Sequence, residues 1–211
     1  MKIRLKEVNI NIDETIFIIS FICLFFKNIR QYFENYFVCF LFIIFHELAH
    51  ISVASLFGIK LIKLNITVSG LNALLNERKK EGVKWLFIYL AGPISNVVLA
   101  ILFQSIPMVF SINIALAIIN LLPIYPLDGF NILNVILNLV KISNKRIKII
   151  QKITEIMVIN LLVIIGIIQF VFLRNLSVIL MVFYIFIQTA SLRKKRDRGI
   201  YQKYYKNITK F

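Results

Sequence analysis

Histidine is almost absent from this chain, with two in 211 residues, and cysteine stops at two, proline at four and glycine at seven. Cys23 and Cys39 both lie within apolar runs and neither belongs to a pair at metal-ligand spacing, so they read as small packing hydrophobes and exclude a cysteine-built metal site. Acidic side chains are also few, 10 against 25 basic ones, which leaves a formal charge of +15. In a soluble chain that imbalance would point to nucleic acid. Charge as a whole is scarce, however: 17% of residues are charged and 59% are hydrophobic. With a mean hydropathy of +0.83 the chain falls outside the range of soluble domains. The composition is that of a polytopic membrane protein in one domain. No cleavable signal peptide is expected, because the first apolar stretch, "TIFIISFICLFF", runs into Lys27 and Asn28 without a small-residue cleavage site.

Hydropathy predicts about six spans, near residues 15–26, 36–58, 85–105, 108–123, 156–173 and 176–192. The first is short for a full crossing, since 12 residues separate Glu14 from Lys27. Alternate segments outside these spans hold 22 of the 25 basic residues. The positive-inside rule therefore puts the N-terminus, the two long loops and the basic tail (residues 193–211) in the cytoplasm, and residues 1–192 form the membrane domain. This accounts for the excess of positive charge, and nucleic-acid binding is not expected. The tail can lie on anionic headgroups with its tyrosines at the interface. No internal repeat is evident. Between the second and third spans Leu64, Ile66 and Val68 alternate with polar residues before Ser69-Gly70, which predicts a small membrane-associated β-hairpin or a loop of β character over residues 60–80. The expected fold class is thus all-α and polytopic, with that hairpin as its exception.

Both histidines fall in "FHELAH", inside the second predicted span. His46 and His50 stand four apart on a predicted helix, so they project from nearly one face and can bind one metal ion, with Glu47 beside them in reach of a metal-bound water. Zinc in such a motif acts as a Lewis acid and lowers the pKa of its water, and the glutamate accepts the proton and passes it to a leaving amine. Ionisable groups inside a span are costly enough to mark function by default. A catalytic zinc keeps three protein ligands and one open position. With no further histidine, the third ligand is expected to be a carboxylate. Downstream acids are Glu77, Glu81, Asp128, Glu155 and Asp197. Four of them lie in charged or span-edge surroundings that suit a solvated side chain. Asp128 instead lies in "INLLPIYPLDGFNIL", where Pro123 and Pro126 break an apolar helix and Gly129 permits a sharp turn, so irregular backbone and a carboxylate meet at membrane depth. Asp128 is the leading third ligand and Glu77 the reserve; the competing reading of Asp128 is a plain Asp-Gly turn.

Asn120 precedes that break. Its amide suits a substrate carbonyl or the developing oxyanion, and equally the backbone groups freed by the prolines. In "YLAGPISNVVLAIL", Gly92 and Pro93 are expected to thin and kink the third span, and Asn96 to face inward as a packing residue.

Taken in order on successive membrane segments, "FHELAH", "AGPISN" and "NLLPIYPLDG" resemble the site-2 protease family of intramembrane metalloproteases, and the likeness covers nearly the whole chain. It is strongest to the branch that processes a membrane-associated pro-sigma factor in endospore-forming bacteria. The resemblance implies one Zn2+ held by His46, His50 and Asp128, with Glu47 as general base and Asn120 holding substrate near the metal. Residues 60–80 would correspond to a membrane-associated β element that aligns substrate as an added strand. It further implies a membrane-associated protein substrate, inhibitory membrane partners and a bacterial cell membrane, the outer forespore membrane in the sporulation branch. Ala49 stands where the motif commonly has glycine, and Phe130 where a second glycine often follows Asp-Gly. The cystathionine β-synthase repeats of many relatives are not found in the sequence, so the resemblance implies nothing about control by ATP. Two other classes compete with a zinc-dependent intramembrane endopeptidase. One is an inactive metal-binding chaperone or regulator, which would tolerate loss of Glu47; the other is a metal transporter, which should show paired broken helices in two related halves.

Overall fold

The structure, a computed structural model, describes residues 2–5, 8–12, 27–67, 70–75 and 82–174, with a few isolated positions beyond. Four strands and five helices follow one another among these residues. Strands β1 (Lys2–Leu5) and β2 (Val8–Ile12) lead to helix α1 (Lys27–Leu56), and strands β3 (Leu61–Thr67) and β4 (Gly70–Leu75) come after it. Helices α2 (Val83–Leu102), α3 (Pro107–Leu121), α4 (Asp128–Leu139) and α5 (Asn144–Leu173) complete the order. By contact the chain divides into two units, residues 1–121 with 135–141, and residues 122–134 with 142–211.

In the first unit the strands form one sheet in the order β1-β2-β3-β4. The outer pairs are antiparallel and β2 runs parallel to β3, with Ile10 opposite Leu64 and Ile12 opposite Ile66. A parallel pair needs a long crossover, and residues 13–60, including α1, supply it. The all-α expectation is therefore corrected to a mostly helical fold carrying a four-stranded sheet. Its N-terminal half obeys a plain period of two: Val8, Ile10 and Ile12 alternate with Asn9 and Asn11.

Helix α2 packs against both α1 and α3. Its buried residues, Trp85, Ile88, Tyr89, Gly92, Pro93, Asn96 and Ala100, recur every three or four positions. That is the single stripe a helix turns toward its neighbours. On α1 the corresponding buried stripe is His46, His50 and Ala54, and on α3 it is Asn113 and Ala117.

Three helical segments are long and apolar enough to cross a membrane, Phe37–Leu56, Val83–Leu102 and Asn144–Phe172. These correspond to the second, third and fifth predicted spans, although α5 starts twelve residues before the span read over 156–173. The early turns carry Lys145, Arg146, Lys148 and Lys152, which lower the local hydropathy without ending the helix. The fourth predicted span is an apolar helix of 15 residues, too short for an ordinary crossing. The first span lies outside the described residues, as do most of the sixth and the basic tail. On α5, Ile156, Met157, Leu161, Ile164, Ile168 and Val171 are each at least half exposed. Water would penalise such a surface by about 25 cal/mol per Å2 of apolar area, and hydrocarbon would not. Together with the length of the three apolar helices, it marks a membrane protein.

Candidate metal centre

The site begins with helical phase. Because α1 is continuous through Lys27–Leu56, His46 and His50 sit one above the other, 4% and 8% exposed, with ring centroids 4.8 Å apart and planes nearly perpendicular. Glu47, one position on, is half-buried.

Each imidazole is held from behind by α2. His50 Nδ1 lies 2.6 Å from the carbonyl oxygen of Ile88. A carbonyl can only accept, so Nδ1 carries the proton and Nε2 presents a lone pair. His46 Nδ1 lies 2.5 Å from Asn96 Oδ1, the Asn96 amide nitrogen donates to Asn113 Oδ1 at 3.0 Å, and Asn113 donates to the carbonyl of Val109 at 2.9 Å. His46 is thereby also protonated at Nδ1, with Nε2 turned the other way.

The two Nε2 atoms face each other at 3.1 Å. With both imidazoles neutral and their protons on Nδ1, no hydrogen bond forms between them and the two lone pairs repel. A cation placed between them removes that repulsion. Two nitrogens on one tetrahedral zinc at ~2.1 Å each stand about 3.4 Å apart, close to the observed separation. Room for an ion comes from Gly92 on α2: a Cβ there would overlap His50 Nε2 and lie 2.5 Å from His46 Nε2. Two imidazoles fixed in the ligating tautomer, facing a space that only glycine leaves open, fit a zinc ion.

Asp128 belongs to the second unit. There it is half-buried and opens α4 instead of forming a free Asp-Gly turn; Gly129 is buried in the first turn of that helix. A carboxylate at this position also suits the helix dipole. Leading into it, Leu127 N–H donates to Ile124 O at 2.8 Å, and the rings of Tyr125 and Phe130 meet edge to face at 5.5 Å. Glu77, the reserve ligand, lies outside the described residues.

Asn120, at the end of α3, is half-buried and donates to the carbonyl of Leu116 at 2.9 Å. Glu155 does not have the solvated surroundings expected of it, being 5% exposed on α5 one turn after the buried Gln151. Sequence alone assigns Asn96 a packing role, and the structure gives its amide oxygen to His46. The signal for that partnership is its spacing from Gly92, four residues and one helical turn away, on the face that approaches the histidines.

Among solved structures the fold resembles a site-2 protease from Methanocaldococcus jannaschii, with a TM-score of 0.58 over 90% of this chain and 94% of that one. Identity to it is 19%, so the likeness is one of fold. Residues 103–165 match the family model for peptidase family M50. A zinc metalloprotease of Methanocaldococcus jannaschii is 29% identical over 152 residues, 65% of this chain. The chain spans 44% of that relative's length. The chain is thus similar to peptidase family M50 in its family-model match and its curated relative, and to a site-2 protease in fold.

Proposed function

We propose that this protein is a zinc-dependent intramembrane endopeptidase whose ligands are His46, His50 and Asp128. The observation that carries this reading is the imidazole pair, with both Nδ1 protons committed to acceptors and both Nε2 lone pairs converging at 3.1 Å. Two imidazoles and one carboxylate make a donor set that suits a catalytic zinc with one open position. When bound, zinc supplies a Lewis acid that polarises the scissile carbonyl and makes water nucleophilic near neutral pH.

The chain's own groups do the remaining work. Glu47, next to His46 on α1, takes the proton of the attacking water and returns it to the leaving amine. Asn120 exchanges its bond to Leu116 for one to the substrate carbonyl, which holds the peptide near the metal and gives the developing oxyanion a donor. His46 and His50 keep their Nδ1 protons throughout, because Asn96 and Ile88 accept them.

The substrate is a membrane-associated protein whose backbone unwinds locally, since helical hydrogen bonds shield the scissile amide. In the segment 60–80, β3 is already paired on both sides by β2 and β4. The edge strand β4 is accordingly the part of that segment suited to pair with an extended substrate. The order and content of "FHELAH", "AGPISN" and "NLLPIYPLDG" resemble those of stage IV sporulation protein FB, and this resemblance favours a membrane-associated pro-sigma factor as substrate, cleaved near the cytoplasmic face during sporulation. Co-expression with a membrane-tethered pro-protein of this class, comparing the native chain with Glu47→Gln, tests the reading. Cleavage by the native chain alone is expected; equal cleavage by both refutes the chemistry.

A further inference from the structure

Two asparagines with no exposed surface, Asn96 and Asn113, lie inside apolar helices, and packing alone does not call for amides there. Each buried amide must find partners. The partners found form a chain with a direction. The Val109 carbonyl only accepts, so the Asn113 atom facing it at 2.9 Å is the amide nitrogen. Asn113 therefore turns its oxygen to Asn96, which must answer with its nitrogen, at 3.0 Å. Asn96 is left with its oxygen toward His46 Nδ1. Without Asn113, the Asn96 amide could rotate by half a turn, offer His46 a donor, and move the imidazole proton to Nε2, where it would block a metal.

We infer that Asn113, on α3 and one residue removed from any metal ligand, is a positioning residue: acting through Asn96, it fixes which nitrogen of His46 carries the proton, and so the tautomer presented to the site. This rests on the metal-binding reading above. His50 needs no such relay, because a backbone carbonyl, which cannot rotate, holds its Nδ1. The structure thus contains its own control.

The test uses the full chain in detergent, stripped of metal, with zinc affinity measured by chelator competition and folding checked by thermal unfolding of the metal-free protein. His46→Ala should abolish tight binding; if it does not, the metal-binding reading fails before the relay is reached. Outer partners of zinc-bound histidines typically contribute 10–100-fold to affinity. Asn96→Leu should therefore weaken binding by about that factor, and Asn113→Leu by roughly three- to tenfold, the effect of about one net hydrogen bond. Asn113→Asp, charged or neutral, still presents an acceptor to Asn96 and should stay within about threefold of native by the same measure. In the double variant Asn96→Leu/Asn113→Leu the second change should add nothing, since both act along one path.

A direct readout comes from labelling histidine with 15N, because the chain has only two histidines. In metal-free protein at a pH well above the ordinary imidazole range, Asn113→Leu should shift the His46 ring nitrogens toward a tautomer mixture and leave those of His50 unchanged. The inference is overturned if Asn113→Leu folds and binds zinc as the native chain does, if the two losses multiply in the double variant, or if both histidines shift alike.

Discussion

Gly92→Ala is the sharpest perturbation available, because helix propensity and site geometry oppose each other. Alanine is favoured over glycine in a helix by about 1 kcal/mol, so α2 itself should not suffer. At the site, the new Cβ would stand 2.5 Å from His46 Nε2 and nearer still to His50 Nε2, where ordinary contact begins at 3.4 Å. Both rings must retreat by about 1 Å, and neither can do so while keeping its Nδ1 bond to Asn96 or Ile88. Losing a buried hydrogen bond of this kind costs about 1–3 kcal/mol. Two such losses amount to roughly 2–6 kcal/mol, a zinc affinity about thirtyfold to about 20,000-fold weaker. Chelator competition on the purified chain measures this directly, and thermal unfolding of the metal-free protein should register the same two lost bonds as a lower melting temperature. A Gly92→Ala protein that binds zinc within threefold of native would refute the placement of the ion between these imidazoles.

Glu47→Gln should retain zinc and lose cleavage by roughly 100- to 10,000-fold, the usual contribution of a positioned base, read by substrate processing beside metal content. Asp128→Ala should lower bound zinc; if metal content is unchanged and only the melting temperature falls, the carboxylate serves the α4 terminus alone. Asn120→Ala should reduce cleavage with zinc affinity unchanged, and a loss of both would assign it to the fold. Gln151, buried on α5 with its Nε2 unpaired, should tolerate Gln151→Leu with stability equal or raised by about 1 kcal/mol, measured by thermal unfolding.

How far the site is legible in the sequence depends on whether the signal lies within one helix or between several. His46 and His50 share a face because 3.6 residues make a turn, and that arithmetic needs only the local sequence. Asn96 and Asn113 are joined across two helices, and which asparagine meets which histidine depends on how α2 seats between α1 and α3, a matter of packing that no local period encodes. The Pro123 and Pro126 break is legible, whereas the start of a helix at Asp128 is not: Asp-Gly favours a turn and a first helical turn alike, and the residues beyond Gly129 decide between them. The strands of residues 2–12 carry a clean alternation of Val8, Ile10 and Ile12, but four- and five-residue strands gain their stability from sheet neighbours far along the chain, so the local pattern is easily passed over.

Helix α3 has a physical consequence for its surroundings. Its 15 residues rise about 22 Å, while a typical hydrocarbon layer is ~30 Å deep. Were α3 to cross the membrane, acyl chains beside it would have to shorten to meet its ends, dimpling the leaflet and bringing headgroup and moisture inward where Asn120 closes the helix. In that arrangement the lipid, as much as the polypeptide, would set how much water reaches the buried chemistry.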